Sequence, residues 1–418
     1  MDSSDSPSRA ILPALLIGLA AAFLLCGYEF IRSSANTLFK QAYGKEGLPY
    51  IMALMPIGVL LMLYGYGRSL SRFGPRATLL ITTLLSAAAV FACYGLIQAK
   101  IKAASGVLYI VREAYVVLII EQLWSFLNSR LSVQHARVLN GPICGLGSIG
   151  AIAGGFAVAA YSKSLGTATM LIFGALAMLP ALVCALLAYR YCGEPVREAD
   201  TATSSDTLGV RLLTRERMLL FLMLIIIATQ VISSTTDLAF QGALQDRYPD
   251  ANEQNAVSGA FYAWLNVFSA VGQFLVAPLL LFLAPLWLVL LILPLLNVAA
   301  CVYAWSVPSL FAYGLAYQVF KAIDYSVFRA AKEPLYIPLS FDARFRAKEL
   351  IDVWGYRFSK GATAALIALF AGLGWVVQSA SLFSAVAVAA AAVWLALTPF
   401  LMRSRAKEDS TLTNSELS

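Results

Sequence analysis

An all-α membrane protein with about twelve transmembrane helices, arranged as two halves of six, is the fold class that this sequence predicts. Three observations carry the prediction. The 418 residues are 60% hydrophobic and only 13% charged, about half the charged fraction usual in soluble domains. Apolar stretches recur along the whole chain, each of a length that crosses the hydrocarbon as a helix, for which about 20 residues suffice. The long polar stretch GEPVREADTATSSDTLGVR, residues 193–211, falls near the middle.

The elements run in order along the chain. A polar tail, residues 1–10, precedes a first span at 11–38 and reads as neither a transit peptide nor an obviously cleaved signal. Spans two and three, at 48–67 and 76–98, are joined by GRSLSRFGPR, a short basic connection that suits a topological anchor and a gate equally well. Span four, 105–130, carries Arg112, Glu113 and Glu121. Span five, 138–161, contains GLGSIG at 145–150. That string satisfies G-x-G-x-x-G, yet no strand precedes it, so a dinucleotide site is not expected there. Gly150 and Gly154 instead form a G-x-x-x-G face on which two membrane helices can approach closely. Span six, 165–190, completes an N-terminal half at 11–190. A cytoplasmic linker at 191–213 leads to a C-terminal half at 214–402, with spans at 214–242, 256–283, 285–305, 309–335, 345–371 and 376–402, and a tail at 403–418.

Six plus six spans about a cytoplasmic linker is the pattern of the major facilitator architecture. With both termini cytoplasmic, the inner loops hold Arg68, Arg72, Arg76, Arg130, Arg137, Arg190, Arg197, Arg211, Arg215, Arg217, Arg344, Arg346 and Lys348, and the tail adds Arg403, Arg405 and Lys407. The outer loops hold only Lys40, Lys45, Lys100, Lys102, Lys163 and Arg247. The positive-inside rule favours this orientation, and the same loops account for the net charge of +7 without nucleic acid as a partner. The six cysteines are scattered and form no C-x-x-C, and His135 is the single histidine. Neither a disulfide framework, a metal site nor a cofactor is therefore expected, and no enzymatic activity.

A charged side chain within the bilayer costs roughly 2.5–3.5 kcal/mol on insertion scales, so it stays where it faces protein, water or a ligand. The segment FKAIDYSVFRAAKEPLYIPLSFDARFRAKELIDVWGYRFSKG, residues 320–361, concentrates such groups. At about 100° per residue, Lys321, Tyr325, Phe328 and Lys332 fall on one face of span ten with Asp324 beside them. Glu349, Asp352, Tyr356 and Lys360 share a face of span eleven. Elsewhere the intramembrane candidates are Glu29 and Arg32 in span one, Arg112, Glu113 and Glu121 in span four, and Asp237 in span seven. Spans one, four, seven and ten line the pathway of a six-plus-six transporter. Pairing explains some of these charges: Arg112 pairs locally, and Arg329 with Glu333 makes an i, i+4 bridge. Arg32, Lys321 and Lys360 have no obvious acceptor on their own helix faces apart from Asp324 and Asp352. They read as donors to an anion, for which Arg forks and Lys point charges are suited.

YSVFRAAKEPLYIPL followed by RAKELIDVWGYRFSKG resembles the span-ten and span-eleven signature of the ATP/ADP translocase family of plastids and obligate intracellular bacteria. In that family the pattern runs Y-S-L-F-D-P-x-K-E-x-A-Y-I-P-L, then G-K-A-A-I-D-V, then G-K-S-G. FIRSSANTLF in span one, LYIVREAYVVLIIEQLWSFLNSRLSVQHARVLNGPICGLG through span four and its exit, and TTDLAFQGALQDRYPDANEQNAVSGAF around span seven fall in the expected order. The resemblance implies a major facilitator fold and nucleotide transport. It matches the family's first-span arginine to Arg32, its fourth-span glutamate to Glu113, its seventh-span acid to Asp237 and its tenth-span lysine to Lys332. The family's first-span Lys-Asp pair is replaced by Ala35 and Asn36, and a seventh-span lysine by Gln241. With two cationic donors missing, a substrate carrying less charge than a triphosphate, or another coupling mode, fits the altered site better.

The function expected is secondary-active transport of a nucleotide or related phosphorylated anion by alternating access, through exchange or proton coupling. The substrate would be bound by Arg32, Glu113, Asp237, Lys321, Asp324, Lys332 and Lys360. Gating or coupling would fall to Glu113, Glu121, Asp237 and Asp352. The alternative is a proton-coupled major facilitator carrier of a non-nucleotide solute, and a non-transporting sensor or scaffold is a third reading. The chain is expected as a monomer in the lipid bilayer of a bacterial inner membrane, with a small anionic molecule as its partner.

Overall fold

The computed structural model describes residues 7–130, 133–194, 217–336, 351, 355, 356, 358–375 and 378–416. The described chain is helical throughout: α1 (Pro7–Tyr43), α2 (Leu48–Gln98), α3 (Ala103–Arg130), α4 (Val133–Leu165), α5 (Thr169–Cys192) and α6 (Arg217–Arg247) are followed by α7 (Ala251–Leu283), α8 (Leu286–Ser306) and α9 (Leu310–Ile323), then α10 (Arg329–Lys332), α11 (Ser359–Gly372) and α12 (Ala380–Glu416). Backbone groups in hydrocarbon have no water to bond, so a spanning segment has to satisfy them within itself, and a helix does.

Nine described helices are long and apolar enough to cross a bilayer. The twelve predicted spans differ from nine helices for identifiable reasons. The 51-residue α2 carries spans two and three, broken only at Gly74, whose φ of 78° and ψ of 173° lie outside the helical region. Such a φ favours glycine, and Pro75 follows it. The expected loop GRSLSRFGPR is thus a single-residue break in a helix. Span ten is divided into α9, a π-helix at Asp324–Phe328, α10 and a 3-10 turn at Glu333–Tyr336. Much of span eleven, including Glu349, Asp352 and Arg357, lies outside the described residues, as does most of the expected linker at 191–213.

Two compact units form, each with its own apolar core. The first holds the described residues of Met1–Gly47, Ile57–Thr201 and Tyr248–Val267. Here α1 is the central element, packed on α3, α4 and α5. A Cβ at Gly150 or Gly154 would run into the backbone of Ala22 or Cys26 on α1, so the G-x-x-x-G face does bring two helices together. The same packing leaves GLGSIG in mid-helix, where it cradles no phosphate. The second unit holds the described residues of Leu48–Pro56, Ala202–Arg247 and Phe268–Ser418. Its central element is α6, which packs on α9, α11 and α12 and buries Leu222, Ile226 and Ile232 among neighbours such as Trp394 and Phe328. Large apolar side chains such as Leu61, Leu85, Phe282 and Trp375 are left exposed, as suits a surface whose solvent is lipid.

Candidate functional site

In the first unit the polar residues gather where α1, α3 and the first part of α7 meet. Glu29, Arg32 and Asn36 stand three and four residues apart and therefore share one face of α1. An Arg32 Nη1 donates to Glu29 Oε1 at 3.1 Å. This corrects the expectation that Arg32 lacks an acceptor on its own helix, since the i, i+3 spacing is sufficient for an ion pair. The Arg32 guanidinium also lies 3.5 Å from the centre of the Tyr262 ring, close enough for a cation–π contact.

Arg112 on α3 is buried and fulfils the local pairing expected of it, with Nε 3.3 Å from Glu113 Oε1. It also does more. Its Nη1 donates to the Arg32 carbonyl at 3.0 Å and to Asn36 Oδ1 at 2.5 Å, and its guanidinium sits 3.8 Å from the centre of the Tyr109 ring. Asn36 donates in turn to the Tyr262 hydroxyl at 3.2 Å, and Asn266 donates to Glu29 Oε1 at 3.0 Å. Tyr262 and Asn266 are functional candidates that sequence reasoning missed, because their partners lie more than 220 positions away. Ala35, at the place of the resembling family's lysine, is fully buried in the apolar core. A lysine would not fit there without displacing its neighbours. Glu121 is exposed on α3 and stands apart from this cluster.

The second unit has a different cluster. Along α6, Thr229, Gln230, Ser233, Ser234, Asp237 and Gln241 are all buried, a polar seam in an otherwise apolar helix. Asp237 Oδ1, Ser233 Oγ and Ser234 Oγ have no hydrogen-bond partner among the described residues. Lys321, at the end of α9, is 6% exposed. Its ammonium lies 4.9 Å from the centre of the Tyr325 ring, and Asp324 and Asp237 are near enough to act on it electrostatically. Asp324 is buried with Oδ1 unbonded. Lys332 is buried with its ammonium 4.7 Å from the centre of the Tyr356 ring. Lys321, Asp324 and Asp237 are thus brought together. Lys360 is half-buried at the start of α11 and makes no ion pair with them.

The shared face expected from ideal helical spacing is altered by the π-helix at Asp324–Phe328, whose wider turn shifts the angular register of the residues after it. Phe328 turns into the apolar core, 5.1 Å between ring centres from Trp394. The expected bridge between Arg329 and Glu333 is not formed, and both residues are exposed. Glu333 opens a 3-10 turn, so the i, i+4 geometry of a regular helix does not hold between them. The π segment is packed on a second one, Gly272–Val276 in α7. A Cβ at Gly272 would meet the Ser326 side chain, so glycine is what allows the two to approach.

With this geometry in hand, comparison with known proteins is informative. Residues 275–404 match the family model of the TLC ATP/ADP transporters. The resemblance stands. The matched segment contains Lys321, Asp324, Lys332 and Lys360. Among solved structures, a point variant of the nucleoside transporter NupG superposes with a TM-score of 0.72 at 13% identity, over 94% of this chain and 99% of that one. An auto-inhibited POT family peptide transporter gives 0.64 at 14% identity over 95% and 97%, and a D-xylose-proton symporter 0.63 at 13% over 93% and 97%. The fold is therefore all-α and major facilitator-like, shared with these solved transporters.

Proposed function

We propose that this protein is a secondary-active transporter of a nucleotide or a related phosphorylated anion, working by alternating access. The observation that carries the reading is the match of 275–404 to the ATP/ADP transporters, because the charged residues of α9 to α11 fall inside it. In this reading Arg32, Lys321, Lys332 and Lys360 hold the anionic group, with Asp324 beside Lys321. Arg forks and desolvated Lys point charges both suit phosphate oxygens. Glu113, Glu121, Asp237 and Asp352 serve gating or coupling, the last of them outside the described residues. The working unit is a monomer in a bacterial inner membrane with both termini cytoplasmic, organised as halves 11–190 and 214–402 about a linker at 191–213, with terminal tails at 1–10 and 403–418.

The experiment is uptake of labelled ADP into liposomes carrying the purified protein, with unlabelled mono-, di- and triphosphates as competitors. Saturable uptake inhibited by nucleotides is expected. Uptake that no nucleotide inhibits, together with no thermal stabilisation of the protein by any of them, would sink the reading.

A further inference from the structure

We infer that Glu29 is a proton-binding site that couples proton movement to the anion held at Arg32, an inference that rests on the transport reading above. Glu29 is 1% exposed in the first unit. Its carboxyl group is unevenly used: Oε1 accepts from both Arg32 and Asn266, whereas Oε2 is buried with no hydrogen-bond partner among the described residues. An ionised carboxylate has lone pairs on both oxygens to satisfy, and a buried bare one is costly. A proton on Oε2 removes that cost. It also removes the charge that binds Arg32.

The surroundings fit a switch between these two states. The titratable groups that interact with Glu29 are Cys26, Tyr28 and Arg32 on α1 and Tyr115 on α3, and Arg112 and Glu113 of α3 act on the same two tyrosines. Asn266 faces Glu29 from α7 and donates to Oε1, a bond that the ionised carboxylate and the carbonyl of an acid protonated on Oε2 both accept. Helices α4 and α5 meet this part of α1 through small residues, Gly154 at Cys26 and Gly174 with Ala177 at Gly27. Arg112 pairs with Glu113, and Arg32 is the cation in contact with Glu29. Meanwhile the Tyr262 ring keeps the Arg32 guanidinium in place when the carboxylate lets go.

Coupling follows from competition. An anion at Arg32 and an ionised Glu29 contend for the same guanidinium, so anion binding favours a proton on Oε2, and a proton on Oε2 favours the anion by the same factor. The ion is a proton rather than a sodium ion on this geometry. Sodium needs several oxygen ligands, whereas two nitrogen donors already approach Glu29.

Two measurements test this. Infrared spectra of the purified protein across a pH titration read the carbonyl stretch of protonated carboxyl groups without any substrate. A titrating band should be present in the natural protein, kept in Glu29→Asp and lost in Glu29→Gln. In liposomes, an inward proton gradient should stimulate ADP uptake by the natural protein and by Glu29→Asp, and this stimulation should vanish in Glu29→Gln. A band unchanged in Glu29→Gln, stimulation that survives that substitution, or stimulation by a sodium gradient instead would each overturn the proposal. If no nucleotide moves under any gradient, the transport reading fails, while the infrared comparison still decides whether Glu29 takes a proton.

Discussion

In the first unit Arg32 and Arg112 are held by carboxylate oxygens at 3.1 and 3.3 Å, whereas in the second Lys321, almost as deeply buried as Arg112, rests near the Tyr325 ring and forms no ion pair among the described residues. Arginine's planar fork reaches several acceptors at once, and Arg112 uses it to tie α3 to α1 through the Arg32 carbonyl and Asn36. Lysine is a point charge on a flexible stem, and here its carboxylate neighbours Asp324 and Asp237 each keep an oxygen unbonded. Arg112 is thus built into the fold, whereas Lys321 keeps electrostatic capacity that packing does not consume. The difference separates a charge that holds helices together from one available to a ligand.

The largest expected effect breaks the first cluster. Arg112→Leu leaves Asn36 and the Arg32 carbonyl without their shared donor and removes the ion pair to Glu113, and removing one partner of a buried pair costs about 3–5 kcal/mol. Thermal unfolding in detergent should show this as a lowered midpoint. Lys321→Met is the counterpart: stability should fall by less than in Arg112→Leu, since no ion pair is broken among the described residues, although Asp324 and Asp237 lose a nearby cation. Its affinity for ADP should fall by about tenfold or more, or about 1.4 kcal/mol. If Lys321→Met unfolds the protein as Arg112→Leu does, the distinction between the clusters is wrong.

A smaller effect sharpens the contrast. Asn36→Asp turns a neutral acceptor of Arg112 into a charged one, and charged hydrogen bonds are worth about 1 kcal/mol more than neutral ones. Thermal stability should rise, with weaker nucleotide binding because the cluster gains a negative charge beside Arg32; a gain in affinity would show that the anion is not held at Arg32. The smallest effect is at Arg329, which the sequence counted among the charges of span ten. Exposed and with no ion pair among the described residues, it should change stability by no more than about 0.5 kcal/mol when replaced by alanine.

The features legible from the residues alone obey local rules. Length and hydropathy decide that a stretch crosses the bilayer, so the spans and the all-helical class could be read directly. The G-x-x-x-G face at Gly150 and Gly154 needs only helical spacing, and it packs as read. The charges of 320–361 stood out for the same reason, because charge in apolar sequence is visible without any fold. Even the Arg32–Glu29 pair lies within reach of i, i+3 arithmetic.

The tertiary structure alone decided the rest. Asn36 reads in sequence as a lost charge, and only the approach of α3 makes it the acceptor that fixes Arg112. Tyr262 and Asn266 enter the cluster from α7 across more than 220 residues, a separation over which no periodicity carries information. The π-helix at Asp324–Phe328 re-aims Phe328 into the core, because ideal 3.6-residue spacing fails wherever a neighbour such as Gly272 lets the backbone widen its turn. That Oε1 of Glu29 accepts twice while Oε2 has no hydrogen-bond partner among the described residues depends on α7 reaching α1. Sequence spacing can put an acid and a base on one face, but the position of the third partner determines which oxygen remains for a proton.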